Sequence, residues 1–177
     1  ANGIETPILD HDPEHIETIG RFGFKVYYGD AGRLDLLRAA GAEHARLLVL
    51  AIDDRAQALK IVDLVQEHFP NLTILARAWD VFHLLQLQDR GVAQVERESF
   101  EGALRLGERA LQRVGLGAWA AKQAANRFRA HDQALLADLL AHFQEDIEVR
   151  AAISASARER LREEMEADAA FYAESRD

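Results

Sequence analysis

The sequence predicts an α/β chain, a doubly wound parallel sheet followed by a helical extension. Three observations carry this. Five short β-branched or leucine-rich runs alternate with helical stretches up to about residue 97, and such alternation builds a parallel sheet with right-handed crossovers. After Val95 only helical periodicity continues to the end. Finally, the first run ends in Asp10 and the second in Gly29-Asp30. Acidic residues and glycine at the carboxyl ends of parallel strands are what the adenosine half of a nucleotide site uses in a Rossmann-like sheet.

The strand runs are Thr6–Leu9, Lys25–Tyr28, Arg46–Ala51, Thr73–Ala76 and Val92–Val95. Arg46–Ala51 is almost continuously apolar, as expected of a strand covered on both faces. The first helix is announced by Asp12 as N-cap with Pro13 at the first helical position. Ile16 and Ile19 share its face, and Gly20 and Gly23 punctuate its end. A second helix spans about 33–40 and stops at Gly41. Asp54 starts a third, with Leu59, Val62 and Val65 at three-residue steps, which ends before Pro70. A fourth near Val81–Asp89 stops at Gly91. Ser99 is then the expected cap of a helix carrying Phe100, Ala103, Leu104, Leu111 and Val114, closed by Gly115-Leu116-Gly117.

An acid that ends the second strand of a 3-2-1-4-5-6 sheet is preceded, about 20 residues earlier, by a glycine-rich phosphate loop. No such loop precedes Asp10. The chain is therefore expected to be a fragment lacking the first strand and its loop. Ala1-Asn2-Gly3 would be the last turn and cap of the first helix. Two alternatives are that strands two and four pair directly, or that another chain donates the missing strand.

A net charge of −9 argues against nucleic-acid binding, which needs cations to displace phosphate counterions. The chain has no cysteine, which excludes disulfides and thiolate metal sites. No apolar run approaches the roughly 20 residues of a membrane span.

Asp10 is placed to accept both ribose hydroxyls, or else is a loop acid. Gly29-Asp30-Ala31 either lines the adenine or is a strand-to-helix turn with an aspartate cap. Ile52 and Asp53 would offer backbone to the same cleft, while Asp54 is the cap. Arg77 leaves the next strand on this edge, either as a phosphate-pairing cation or as a partner of Asp80. Glu96-Arg97-Glu98 sits where the sheet ends, and either holds an anionic ligand or forms an ion-pair cluster. His11 and His15 have i, i+4 spacing without a third ligand, so no metal is expected. Trp79 and Phe82 are either core or an exposed contact. Nothing resembles a nucleophile elbow, a lysine-bearing phosphate loop or an acid–base dyad, so no enzyme activity is expected.

The segments Leu9–Thr18, Tyr28–Ala31, Ala51–Asp54, Glu67–Pro70, Glu96–Leu104 and Gly115–Gly117 together closely resemble the cytoplasmic regulatory domain (RCK/KTN, TrkA-N type) of glutathione-gated, Kef-type potassium efflux antiporters. The resemblance runs to about residue 130. It implies a ligand-sensing module at the cytoplasmic face of the bacterial inner membrane that gates a potassium/proton antiporter without catalysing a reaction. It implies an adenine nucleotide, NAD(H) or AMP, held more weakly without the phosphate loop, at Asp10, His11, Gly29, Asp30, Ala31, Ile52, Asp53 and Arg77. It implies glutathione at Arg97, near the seam of a homodimer. Its partners would be the transporter's membrane domain and a flavodoxin-like oxidoreductase subunit. Around Trp79 the family is more polar than the Trp79-Asp80-Val81-Phe82-His83-Leu84 found here. The domains expected are 1–97 (nucleotide-binding), 98–132 (crossover and dimerisation helices) and 133–177 (helical tail). The competing readings are a fragment of an NAD-dependent dehydrogenase and a nucleotide-free dimerisation scaffold.

Overall fold

In the computed structural model, residues 6–174 are described, with side chains to residue 167; the proposed helix end at Ala1-Asn2-Gly3 lies outside them. The elements are β1 (Ile8–Asp10), α1 (Pro13–Arg21), β2 (Val26–Tyr28), α2 (Leu34–Ala39), β3 (Leu47–Leu50), α3 (Arg55–His68), β4 (Thr73–Ala78), α4 (Val81–Asp89), β5 (Gln94–Arg97), α5 (Phe100–Arg113), α6 (Ala118–Ala141) and α7 (Ile147–Glu174). Each expected strand and helix is present, with ends displaced by a few residues. The chain divides into two compact units, 1–78 with 86–96, and 79–85 with 97–177.

In the first unit the strands form two sheets, β1-β2 and β3-β4-β5. β1 pairs with β2 in parallel, Ile8 opposite Val26 and Asp10 opposite Tyr28; β3 pairs with β4 in parallel, Leu47 opposite Thr73 and Leu50 opposite Ala76. β1 and β3 do not pair with each other, so the direct pairing of strands two and four is not what the described residues adopt. The core of this unit gathers around α3. Ala58, Ile61, Val62 and Val65 are buried there, along with Ile74, Ala76 and Ala78 at alternate positions of β4.

One expectation for this unit fails. β3 is not covered on both faces, since Leu47 is 47% and Val49 65% exposed while Leu50 is buried. Strand side chains alternate between faces, and the described helices cover only the Leu50 side. Phe22, Phe24 and Tyr28 are exposed as well.

Helix starts follow the capping chemistry. Asp12 accepts from the backbone N–H of Glu14 at 2.8 Å and caps α1 ahead of Pro13. The Glu14 N–H holds the Asp12 carboxyl below its ordinary value. Asp54 caps α3 by accepting from the Gln57 N–H at 2.9 Å. Ser99 occupies the N-cap position of α5, but its backbone is already helical and its side chain makes no capping bond.

The second unit is helical. α5 packs on α6 and α6 on α7. Among the described residues few side chains are buried in these three helices, namely Ala121, Leu139 and Ala157. A groove of about 450 Å³ runs between them, floored by Phe100, Leu104, Leu116, Phe128, Leu161 and Met165. In the same unit Trp79 and Phe82 are half exposed, and the Phe82 ring lies 5.9 Å from that of Phe143.

Candidate functional site

The site is built from strand ends. The β1–β2 register brings Asp10 level with Tyr28, and the Gly29 N–H donates to the Asp10 carbonyl at 2.8 Å. Two predicted segments 19 residues apart are thereby one structural feature. Gly29 has a φ of 152°, and a Cβ there would collide with the Leu36 Cδ1 methyl, so glycine is the residue that fits.

The Asp10 side chain is 24% exposed. Its Oδ1 accepts from the Asp12 N–H at 2.9 Å, and its Oδ2 lies 3.4 Å from His15 Nδ1. His11 Nδ1 stands 3.9 Å from Oδ1. The carboxylate therefore shapes its own loop first. An ionised carboxylate offers about four lone-pair sites, which leaves acceptor capacity for a diol. Among the described residues no group of three or more histidines and carboxylates could hold a metal ion.

Asp30 is exposed and is not a helix cap, because α2 starts later, with Arg33 as its N-cap. Its Oδ1 accepts from the Gly32 N–H at 2.7 Å, closing an Asx-type turn, and from Gln57 Nε2 at 2.5 Å. Ala31 and Ile52 are half-buried. Arg33 and Asp35 form a bidentate pair at 3.1 and 2.7 Å, which raises the arginine's pKa and lowers the aspartate's.

Arg77 Nη2 lies 2.5 Å from Asp53 Oδ1 and donates to the Ala51 carbonyl at 2.9 Å. The guanidinium thus bridges from the end of β4 to the end of β3, and Asp53 contributes its carboxylate as well as its backbone. The Arg77 side chain is 28% and that of Asp53 82% exposed.

Arg97 belongs to the second unit and does not stand free between its neighbouring glutamates. It is the last residue of β5, forms an ion pair with Asp132 of α6 in which the side chains are 13% and 15% exposed, and lies 3.8 Å over the Phe100 ring. One turn on, Glu101 and Arg129 make a second, bidentate bridge with both contacts at 2.8 Å. Arg129 holds the Glu101 carboxyl below its ordinary value.

Sequence reasoning missed Gln57 and Asp132. Asp54-Arg55-Ala56-Gln57 carries the spacing of a capping box, in which a third-position glutamine turns back to its own cap; here the side chain goes to Asp30 instead. Asp132 lies 35 residues from Arg97, a separation with no local signal.

Residues 1–97 match the TrkA-N domain model, and residues 102–177 match that of the potassium efflux system KefB C-terminal domain. A solved Kef C-terminal domain from Shewanella denitrificans, in AMP-bound form, is 45% identical with a TM-score of 0.72, covering 78% of this chain and 84% of that one. The chain belongs to the Kef-type regulatory domain family. The glutathione-regulated potassium-efflux system protein KefC of Cronobacter sakazakii is 49% identical over 86% of this chain and 24% of its own length. KefC of Escherichia coli O139:H28 is 46% identical over the same shares. This Kef-type chain thus spans about a quarter of the length of the curated relatives it matches. The TrkA-N domain of inner membrane protein ybaL from Escherichia coli, at 22% identity and a TM-score of 0.53 over 64% of this chain and 80% of that one, shares the Rossmann-like fold. Among the described residues no helix is long and apolar enough to cross a membrane.

Proposed function

We propose that this Kef-type domain is a sensor of adenine nucleotide and of glutathione or its adducts, and that it biases the gate of a potassium/proton efflux antiporter. The observation that carries the reading is that Asp10, Gly29-Asp30 and the Arg77–Asp53 bridge all lie at the carboxyl ends of β1 to β4. A carboxylate for the ribose, an acceptor for the adenine amino group and a cation for the phosphate are the groups an adenine nucleotide needs. The AMP-bound form of a relative 45% identical favours AMP over NAD(H). His11, Ala31, Ile52 and Asp53 complete the nucleotide set.

For an anionic tripeptide the corresponding group is Arg97. A guanidinium has five N–H donors, and the Asp132 bridge engages one of its nitrogens. A glutathione carboxylate would share this guanidinium or displace Asp132 from it. Ligand control requires different affinity for two arrangements of the module, and a homodimer supplies such arrangements. Leu106, Val114 and Trp119, 69%, 82% and 67% exposed, are apolar surface that a second copy would cover. The lengths of the KefC relatives support a transporter membrane domain at the cytoplasmic face of the inner membrane as a further partner. A flavodoxin-like oxidoreductase subunit belongs to the proposal on the family resemblance alone.

Calorimetry with AMP tests the nucleotide half. Asp10→Asn should weaken AMP about tenfold, the equivalent of one charge-assisted hydrogen bond, and equal affinity would remove Asp10 from the site. A substrate-driven absorbance change at the NADH band would instead favour a dehydrogenase. For the glutathione half, Arg97→Ala should abolish thermal stabilisation by glutathione; unchanged stabilisation would overturn that assignment.

A further inference from the structure

We infer that Gln57 is a positioning residue for base recognition: its side-chain amide fixes the Asp30 carboxylate so that the site selects a 6-amino purine over a 6-oxo purine. The inference rests on the adenosine-side reading above.

Asp30 is exposed and sits in a loop, where an unrestrained carboxylate would sample several rotamers. Two donors restrain it, the Gly32 N–H at 2.7 Å and Gln57 Nε2 at 2.5 Å. Both fall on Oδ1. Among the described residues Oδ2 receives no hydrogen bond, and its lone pairs remain for a ligand's amino group. The first bond comes from the same turn and moves with it. The second comes from outside, 27 residues away.

Gln57 is itself well anchored. Its N–H donates to the capping Asp54 carboxylate at 2.9 Å, and the next residue, Ala58, is 2% exposed, with Ile61 and Val62 fully buried a turn further on. The bond also joins two sheets with no ladder between them: Asp30 follows β2 of one, and Gln57 lies in the helix after β3 of the other. Asp30 and Gln57 each follow the carboxyl end of a strand, the edge at which open α/β sheets bind ligands.

Adenine presents an amino group at position 6, which donates to an ionised carboxylate. Hypoxanthine presents a carbonyl oxygen there, which an ionised carboxylate repels. A carboxylate fixed in advance discriminates more sharply than a mobile one, because no rotamer freedom is lost on binding. Leucine at position 57 would keep the volume and remove the donor; glutamate would put a second negative charge against Asp30.

The test is AMP and IMP binding to the complete gene product, wild type beside Gln57→Leu, Gln57→Glu and Asp30→Asn, with thermal melting of each. Gln57→Leu should weaken AMP about fivefold, the worth of one hydrogen bond, and should shrink the AMP-to-IMP ratio by a similar factor. Gln57→Glu should do more. The ratio is insensitive to the fraction of protein folded, so a merely structural role would lower melting temperature and leave the ratio alone. If Asp30→Asn collapses the ratio while both Gln57 variants keep it, the positioning role is overturned and the adenosine reading stands. If Asp30→Asn also keeps it, the adenine assignment of Asp30 falls, and the role of Gln57 with it.

Discussion

The α3 region and the α5–α7 region draw on a similar mix of aliphatic and charged residues, yet they bury it differently. In α3 one face is fully enclosed, with Ile61, Val62 and Val65 at 0% exposure. In α5 no residue is buried, and Leu106 and Val114 face solvent. In the same unit the alternate residues Ile74, Ala76 and Ala78 of β4 are buried too, the continuous apolar surface that a sheet layer offers a helix. The later helices enclose little between them, and ion pairs tie them together: Arg97 to Asp132, which are largely buried, and Glu101 to Arg129, which are more exposed. An apolar stripe is thus necessary for a core helix but does not create one. What it packs against decides how much is enclosed.

That contrast can be broken by substitution. The largest effect should come from Ile61→Ala, with about 4 kcal/mol of stability lost to transfer and cavity terms together; a loss below about 1 kcal/mol would mean the α3 core is not close-packed. Next should come Asp132→Ala, which strands the Arg97 guanidinium in a largely buried place and should cost about 2–3 kcal/mol in denaturant unfolding. A neutral result would show that water reaches Arg97 freely. The smallest should be Glu101→Gln, whose partners are exposed and whose bridge is screened by salt. Its signature is in pH. The folded Glu101 pKa lies below the ordinary 4.5, so its contribution is present above that value and is lost as pH falls through the lower folded value. Melting curves of Glu101→Gln should coincide with wild type in high salt at neutral pH and show a flatter acid limb. An identical acid limb would remove the Glu101–Arg129 bridge from the list of contacts that hold α5 to α6.

The legible part of the molecule was local. Asp12-Pro13 and Asp54 marked real helix starts, because capping is decided within four residues. Asp10 and Gly29-Asp30 stand together as strand ends should, since a parallel register brings equivalent ends to one edge. Ser99 had the residue type of a cap without making the bond. The continuous apolar run of β3 suggested two covered faces, whereas Val49 is 65% exposed among the described residues.

The sequence by itself determined the order of strands and helices, the caps, the acidic strand ends and, through segments such as Glu96–Leu104, the family. Those signals are short-range or lie in consecutive residues. Only the tertiary structure decided that Arg77 bridges to Asp53, that Arg97 is joined to Asp132 and that Gln57 turns away from its own helix cap to hold Asp30. These partners are 24 to 35 residues apart. No periodicity connects residues so distant, because their meeting depends on how the chain folds back, and a charged or amide side chain takes whichever partner that return brings within reach.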